Sequence, residues 1–312
     1  MAASTQAPIR ITLLPALTFA DAWQAYRRAE TLLPAKPPKV TPRPIADVAA
    51  IADEFDVVAL DAWGVLNLGE ATIATAPAAV AGLRAKGKRL AVLSNSGSRD
   101  AAVSAARLAR LGFDFTAAEI ITGLDLVPAA LAALALPPPL GFVAGAAAAR
   151  PLLTRGMLAL GDAAADYDRV SGIVFLSTGA WSEARQALLA ASLERRKRPL
   201  IVANPDIASP EPHGMEAEPG WYAQRIAAAT GAPIISCGKP FAPIYERLRA
   251  RYPDVAPERV LCVGDTLHTD ILGGRAAGCR TLLVEDGFMR GADALSLIEE
   301  SGIWPEFIAP RL

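Results

Sequence analysis

The sequence predicts an α/β fold, a parallel sheet flanked by helices with a second αβ series inserted into it. Three observations carry that expectation. Short apolar runs recur at Val57–Leu60, Leu90–Leu93, Ile234–Ile235 and Val260–Val263, with the length and composition of strands buried on both faces. Each run ends in polar or charged residues and a helical pattern follows, which is the βαβ rhythm of a parallel sheet. Between Leu140 and Ala203 a further set of strand and helix signals interrupts the main series.

Residues 1–45 form an N-terminal extension. Phe19 to Leu33 reads as a helix, and the Pro-rich run from Pro34 to Pro44 reads as an extended linker. The helix is expected to pack on the core or on a partner subunit of a homo-oligomer. The core begins near Ile45 with a short helix and the strand Val57–Leu60, and Gly64 marks a sharp turn after it. A helix over 77–86 leads to the strand ending at Ser94. A second helix, Arg99 to Leu111, leads to Ile120–Thr122. Pro137-Pro138-Pro139 breaks the pattern. Strands follow near 142–144, 157–160, 172–176 and 200–203, with a helix over 181–195. The expected division is a core of 46–122 and 225–312 with an inserted domain of 123–224. Trp181 and Trp221 read as helix-face packing residues, and Gly273-Gly274 as close helix–sheet packing.

A chain of 312 residues fits two domains or one elaborated domain. Hydrophobic residues at 52% give enough material for a sizeable core, and a net charge of −1 gives no electrostatic case for nucleic acid or an anionic membrane. No uninterrupted apolar stretch reaches the length a bilayer needs. The first twenty residues lack a signal-peptide arrangement, because Asp21 and a helix-like stretch follow directly. Cys237, Cys262 and Cys279 fit neither a disulfide framework nor a zinc spacing. Buried, inert thiols and a cytoplasmic location are expected.

The strand ends carry the chemistry. Asp61 follows Leu60 on a tight turn, where open α/β sheets place reactive groups; alone, it reads more readily as a helix N-cap. Ser94-Asn95-Ser96 precedes a helix, so its hydroxyls and free N–H groups can hold an anion or serve as a cap. Lys239 precedes another helix, a position unfavourable for a cation, which points to a phosphate or another negative partner. Asp265 and Asp270 share one loop, and paired carboxylates suit a hard cation such as Mg²⁺.

The order strand-Asp, strand-Ser, strand-Lys, strand-Asp-and-Asp resembles the haloacid dehalogenase-like (HAD) superfamily, and more finely its class IIA, NagD-like branch. The matching residues are Gly64-Val65-Leu66 after Asp61, Ser94-Asn95-Ser96, Ala203-Asn204-Pro205-Asp206, Gly238-Lys239-Pro240, and Gly264-Asp265-Thr266 with Thr269-Asp270-Ile271. The resemblance runs from about Phe55 to the C-terminus. It implies a Rossmann-like core with an inserted C2-type cap domain. It implies that Asp61 attacks phosphorus and forms an aspartyl-phosphate, and that Lys239 neutralises the nucleophile and the phosphoryl group. Mg²⁺ is then held by Asp61, Asp265 and the backbone carbonyl of Trp63. Asp270 supports the metal through a water or orients Lys239. Ser94, Asn95 and Ser96 bind phosphate, with Asn204 and Asp206 near the substrate. His268 itself reads as a residue behind the metal ligands or in the loop rather than as a ligand.

One position departs from that pattern. The family's phosphatases carry a second Asp two residues after the nucleophile, as general acid and base, and this chain has Trp63 there. General acid–base help is worth about 10²–10⁴-fold, and an indole cannot take up a proton. Two readings follow. One is a slow or specialised Mg²⁺-dependent phosphatase of a small phosphorylated metabolite, with an acid drawn from Asp206, Glu211, His213 or Glu216. The other is a non-catalytic phosphometabolite-binding or regulatory protein. The substrate's identity is not written in the sequence.

Overall fold

The computed structural model describes residues 17–145, 156–211 and 214–312. Its main sheet has seven parallel strands, in the order Arg43–Pro44, Phe307–Ala309, Arg280–Val284, Val260–Gly264, Val57–Leu60, Arg89–Ser94, Ile120–Thr122. Val57–Leu60 is central and buried along its whole length, as an apolar run with neighbours on both sides must be. Its registers, Leu60 beside Val263 and beside Val92, bring three strand ends to one level. Asp61 and Ser94 leave from that edge, and Asp265 follows from the third strand.

A second parallel sheet has five strands, in the order Ile234–Ser236, Leu200–Val202, Ile173–Phe175, Leu140–Val143, Met157–Ala159. The inserted series therefore forms its own layer and does not extend the main sheet. The layers meet at their strand ends. A Cβ on Gly123 would lie 1.9 Å from the carbonyl oxygen of Ala203, so only glycine lets the two backbones approach so closely.

Three elements differ from the sequence expectation. Ile234–Ser236, read as a core strand beyond a boundary at 224, pairs instead with Leu200–Val202 in the second sheet. An apolar run of two residues fits either sheet, and the register alone decides. Part of the expected linker, Arg43–Pro44, is an edge strand beside Phe307–Ile308, where proline is tolerated. The helix Gly123–Leu134 was not foreseen. It opens on a capping box between Thr122 and Asp125 and contains Pro128, and that proline hides it in the sequence.

The N-terminal helix Phe19–Ala29 packs on its own chain. Thr18 and Asp21 form its capping box. Trp23 and Tyr26 are buried between the two layers, with the Tyr26 ring 5.7 Å from Phe288 and its hydroxyl accepting from the Ile207 N–H at 3.2 Å. Gly273 packs against Pro240 and Gly274 against Cys262. Trp181 is buried and Trp221 half-buried in the cluster around the second sheet. All three cysteines are buried and unpaired, and burial pushes the Cys237 thiol up to about 12. Among the described residues, no helix is long and apolar enough to cross a membrane.

Candidate active site

Asp61 is fixed before its side chain does anything. Its backbone N–H donates to the Val263 carbonyl at 2.8 Å, which pins it to the neighbouring strand. The chain then turns through Gly64 at φ +89°, where a Cβ would stand 1.7 Å from Oδ2 of Asp265. Both the backbone angle and the contact demand glycine. That turn brings the loop after Asp61 against Asp265.

Lys239 joins the two ends of the site. Its ammonium is buried and donates to Asp61 Oδ1 at 2.6 Å and to Asp270 Oδ1 at 2.7 Å. Asn95 holds its backbone, accepting from the Lys239 N–H at 2.6 Å and donating to the Lys239 carbonyl at 3.0 Å. The same Asn95 amide donates to Asp206 at 2.7 Å. Asp265 accepts from Thr266 Oγ1 at 2.9 Å and from the Phe288 N–H at 2.7 Å. Asp270 accepts from the Thr266 N–H at 3.2 Å.

Asp61, Asp265 and Asp270 each offer one carboxylate oxygen, all within 4.8 Å of one another. Two buried carboxylates and the half-buried Asp61 therefore gather around one ammonium. Burial raises the Asp61 carboxyl to about 8, against the pull of Lys239 and with the push of Asp270. Burial and the charges of Asp61 and Asp270 hold Asp265 well above the usual carboxylate range. Burial alone would lower Lys239, but Asp270, Asp61 and Asp206 outweigh it and raise the ammonium's pKa. Excess negative charge on hard oxygen donors fits a divalent cation such as Mg²⁺.

A cavity of about 400 Å³ adjoins this cluster. Trp63 and the Ser94–Arg99 loop line one side of it. Asn204, Asp206 and an antiparallel hairpin, Ala208–Glu211 with Gly214–Ala217, line the other. The helix after Ser94 starts only at Ala101, capped by Asp100, so the serines stand in a loop rather than as the cap. Ser94 Oγ accepts from the Ser96 N–H at 3.3 Å, and Ser96 Oγ from the Arg99 N–H at 3.1 Å. Burial raises Asp206 to about 7 against the pull of Lys239 and Asn95.

Trp63 is engaged at its edge and on one face. Its indole N–H donates to the Pro210 carbonyl of the hairpin at 2.9 Å, and the Arg107 guanidinium lies 4.7 Å above its ring. Arg107 is itself held by Glu70 at 3.0 Å.

The fold thus gathers Asp61, Lys239, Asp265 and Asp270 into one cluster. Asn95 and Asp206 adjoin it, and Trp63, Ser94, Ser96 and Asn204 line the adjacent cavity. His213 lies outside the described residues. The sequence reading missed the hairpin and, with it, Glu218, whose carboxylate accepts from Asn204 at 2.9 Å and from Ser209 at 2.8 Å. Thr266, named in the motif but given no role there, donates to both loop carboxylates.

An aspartate at the central strand end, a lysine bridging it to a carboxylate pair, and a second αβ layer over the strand ends define a hydrolase of the α/β class. Two family profiles match the chain, haloacid dehalogenase-like hydrolase over residues 58–152 and HAD-hydrolase-like over 236–312. The chicken (Gallus gallus) glycerol-3-phosphate phosphatase is 30% identical over 282 residues, 83% of this chain and 90% of the relative. Human (Homo sapiens) chronophin is 30% identical, over 76% of this chain and 83% of its own. Among solved structures, a possible sugar phosphatase of the HAD superfamily from Cytophaga hutchinsonii superposes with a TM-score of 0.77 at 26% identity, covering 87% of this chain and 98% of the other. The glycerol phosphate phosphatase of Mycobacterium tuberculosis in complex with magnesium gives 0.66 at 27%, covering 84% and 76%. The chain belongs to the haloacid dehalogenase-like hydrolases, in their class IIA, NagD-like branch.

Proposed function

We propose that this chain is a Mg²⁺-dependent phosphatase of a small phosphorylated metabolite, working through an aspartyl-phosphate on Asp61. The observation that carries the reading is the Lys239 ammonium shared between Asp61 and Asp270 at 2.6 and 2.7 Å. A carboxylate so placed keeps one oxygen free to attack, and the lysine offsets charge that spreads over the phosphoryl oxygens. As the bond from Asp61 to phosphorus forms, the bond to the leaving oxygen breaks. Water then attacks the aspartyl-phosphate, releasing inorganic phosphate and restoring Asp61. Ser94, Asn95 and Ser96 orient the phosphoryl oxygens, and Asp270 keeps Lys239 in place. Asp61, Asp265 and the Trp63 carbonyl would hold Mg²⁺, which when bound supplies further charge neutralisation at the phosphoryl group.

The leaving oxygen needs a proton, and Trp63 has none to give, since its N–H is committed to Pro210. Asp206, Glu211 and Glu216 line the same cavity and remain the candidates for that role. The second layer with its hairpin is the cap. The unpaired cysteines fit a cytoplasmic setting. Trp63 is also the one observation that favours the second reading, a phosphometabolite-binding protein without turnover.

The test is phosphate release from a panel of phosphoesters with Mg²⁺ and with excess chelator, together with a melting curve in each condition. Release that requires Mg²⁺, with a higher melting temperature in its presence, supports the phosphatase. A Mg²⁺-stabilised protein that releases nothing supports the binding protein.

A further inference from the structure

The hairpin points its charge in one direction. Ser209 stands opposite Glu216, and Glu211 opposite Gly214. Strand alternation therefore sends Ser209, Glu211 and Glu216, with Glu218 beyond the strand end, to one face. All four line the cavity beside Ser94. The other face carries Ala208 and Ala217 into the apolar cluster around Trp23. The hairpin is fastened from both sides, by the Trp63 N–H to Pro210 at 2.9 Å and by two backbone hydrogen bonds between Leu17 and Met215, each 3.2 Å.

Asp206 adds a fourth carboxylate to the same cavity. The side-chain partners of Asp206 and Glu218 are the neutral groups of Asn95, Asn204 and Ser209. Arg99 is the only cationic residue lining the cavity among the described residues, and its guanidinium lies 4.0 Å from Glu70, which is not a lining residue. Burial, and for Glu218 the charges of Glu216 and Glu211, raise Glu218 to about 7 and push Glu211 up as well. Among the described residues the lining carries four carboxylates and one guanidinium, an excess of negative charge that a cationic ligand would offset.

We propose that the hairpin is a selectivity wall and that the substrate is a phosphate monoester whose organic part ends in a cation, such as an ammonium group. The proposal rests on the phosphatase reading for the identity of the site. An ammonium gains ion pairs with Glu211, Glu216 and Glu218, a hydroxyl gains hydrogen bonds only, and a carboxylate is repelled.

The experiment uses matched alkyl phosphates of a few carbons that end in ammonium, hydroxyl or carboxylate. kcat/KM should fall in that order, by about tenfold at each step, since like-charge juxtaposition is costly in a partly desolvated site. Glu218→Gln should shrink the ammonium-to-carboxylate ratio by about tenfold. Glu211→Gln, at the half-buried rim, should shrink it in the same direction and guards against misfolding of the first variant. A carboxylate or hydroxyl ester used as well as the ammonium ester, or ratios unchanged in both folded variants, would overturn the proposal. Calorimetric affinities of Asp61→Asn protein for the same esters separate the two claims. The predicted order of affinities without wild-type turnover would remove the phosphatase reading and keep the wall. Turnover with the wrong order would do the reverse.

Discussion

Lys239 donates to two carboxylates from one ammonium; Lys239 and Asp270 are buried and Asp61 is half-buried. Removing the cation leaves Asp61 and Asp270 unpaired beside Asp265, and breaking a buried pair costs about 3–5 kcal/mol. Lys239→Met should therefore lose roughly that much unfolding free energy in urea at pH 7 without Mg²⁺. A variant as stable as wild type would mean that the carboxylates take up protons at no cost. Trp63 has a different role, since its N–H reaches across 147 residues to the hairpin. Trp63→Asp supplies a titratable group at the position where the family resemblance implies one, but it also cuts that tether. Trp63→Phe cuts the tether alone. Hydrolysis of alkyl phosphates should rise by at least about tenfold in the Asp variant and not in the Phe variant. Aryl phosphates with good leaving groups should gain less. No gain on any alkyl phosphate would show that a missing acid is not what limits this site.

The loop between Asp265 and Asp270 closes as one π-helical turn, Leu267–Ile271, a rare element that recurs at functional sites. His268 lies within it, wholly buried, with its ring 4.9 Å from Tyr26 and 5.0 Å from Trp23. Among the described residues neither ring nitrogen has a hydrogen-bond partner, and a carboxylate oxygen of Glu30 is 3.5 Å away. Burial lowers the imidazole to about 4, against the pull of Glu30. The unfolded chain binds this proton near its ordinary 6.5 and the folded chain only near 4, so stability falls as the pH drops through that window, by on the order of 3 kcal/mol. Asp206 and Glu218, raised to about 7, act in the opposite sense over the same range. The diagnostic is therefore the difference between proteins. His268→Phe should lose less stability than wild type between pH 6.5 and 4.5 in denaturant titrations. Equal losses would show that the imidazole ionises in the folded state.

The elements divide by how they show in a sequence. Val57–Leu60 and Val260–Gly264 were legible because a strand buried on both faces must be apolar throughout, and Asp61 and Asp265 stand out against it. The hairpin was not legible. Its strands read Ala-Ser-Pro-Glu and Gly-Met-Glu-Ala, with no β-branched residue and a proline, against every strand preference. It stands because Trp63 and Leu17 hold it, and neither contact shows in a local pattern. Ile234–Ser236 was legible as a strand but not as a member of the second sheet, since its side chains would suit either neighbour.

At the scale of the whole molecule, the N-terminal helix ties the two layers together. Tyr26 accepts from Ile207 next to Asp206 and stacks on His268 in the turn between Asp265 and Asp270. Both halves of the candidate site therefore rest on one buried side chain from a segment outside the family motifs. The cavity of about 400 Å³ is lined by Trp63, Ser94 and Asp206 together with Glu211, Glu216 and Glu218 of the hairpin side. The account stands or falls on Asp61 as the nucleophile. The most direct test is phosphate release from alkyl and aryl phosphates under Mg²⁺ by wild type and by Asp61→Asn, prepared side by side with matched circular dichroism. The account predicts release by wild type and none by the variant. Equal release by the two proteins would contradict it.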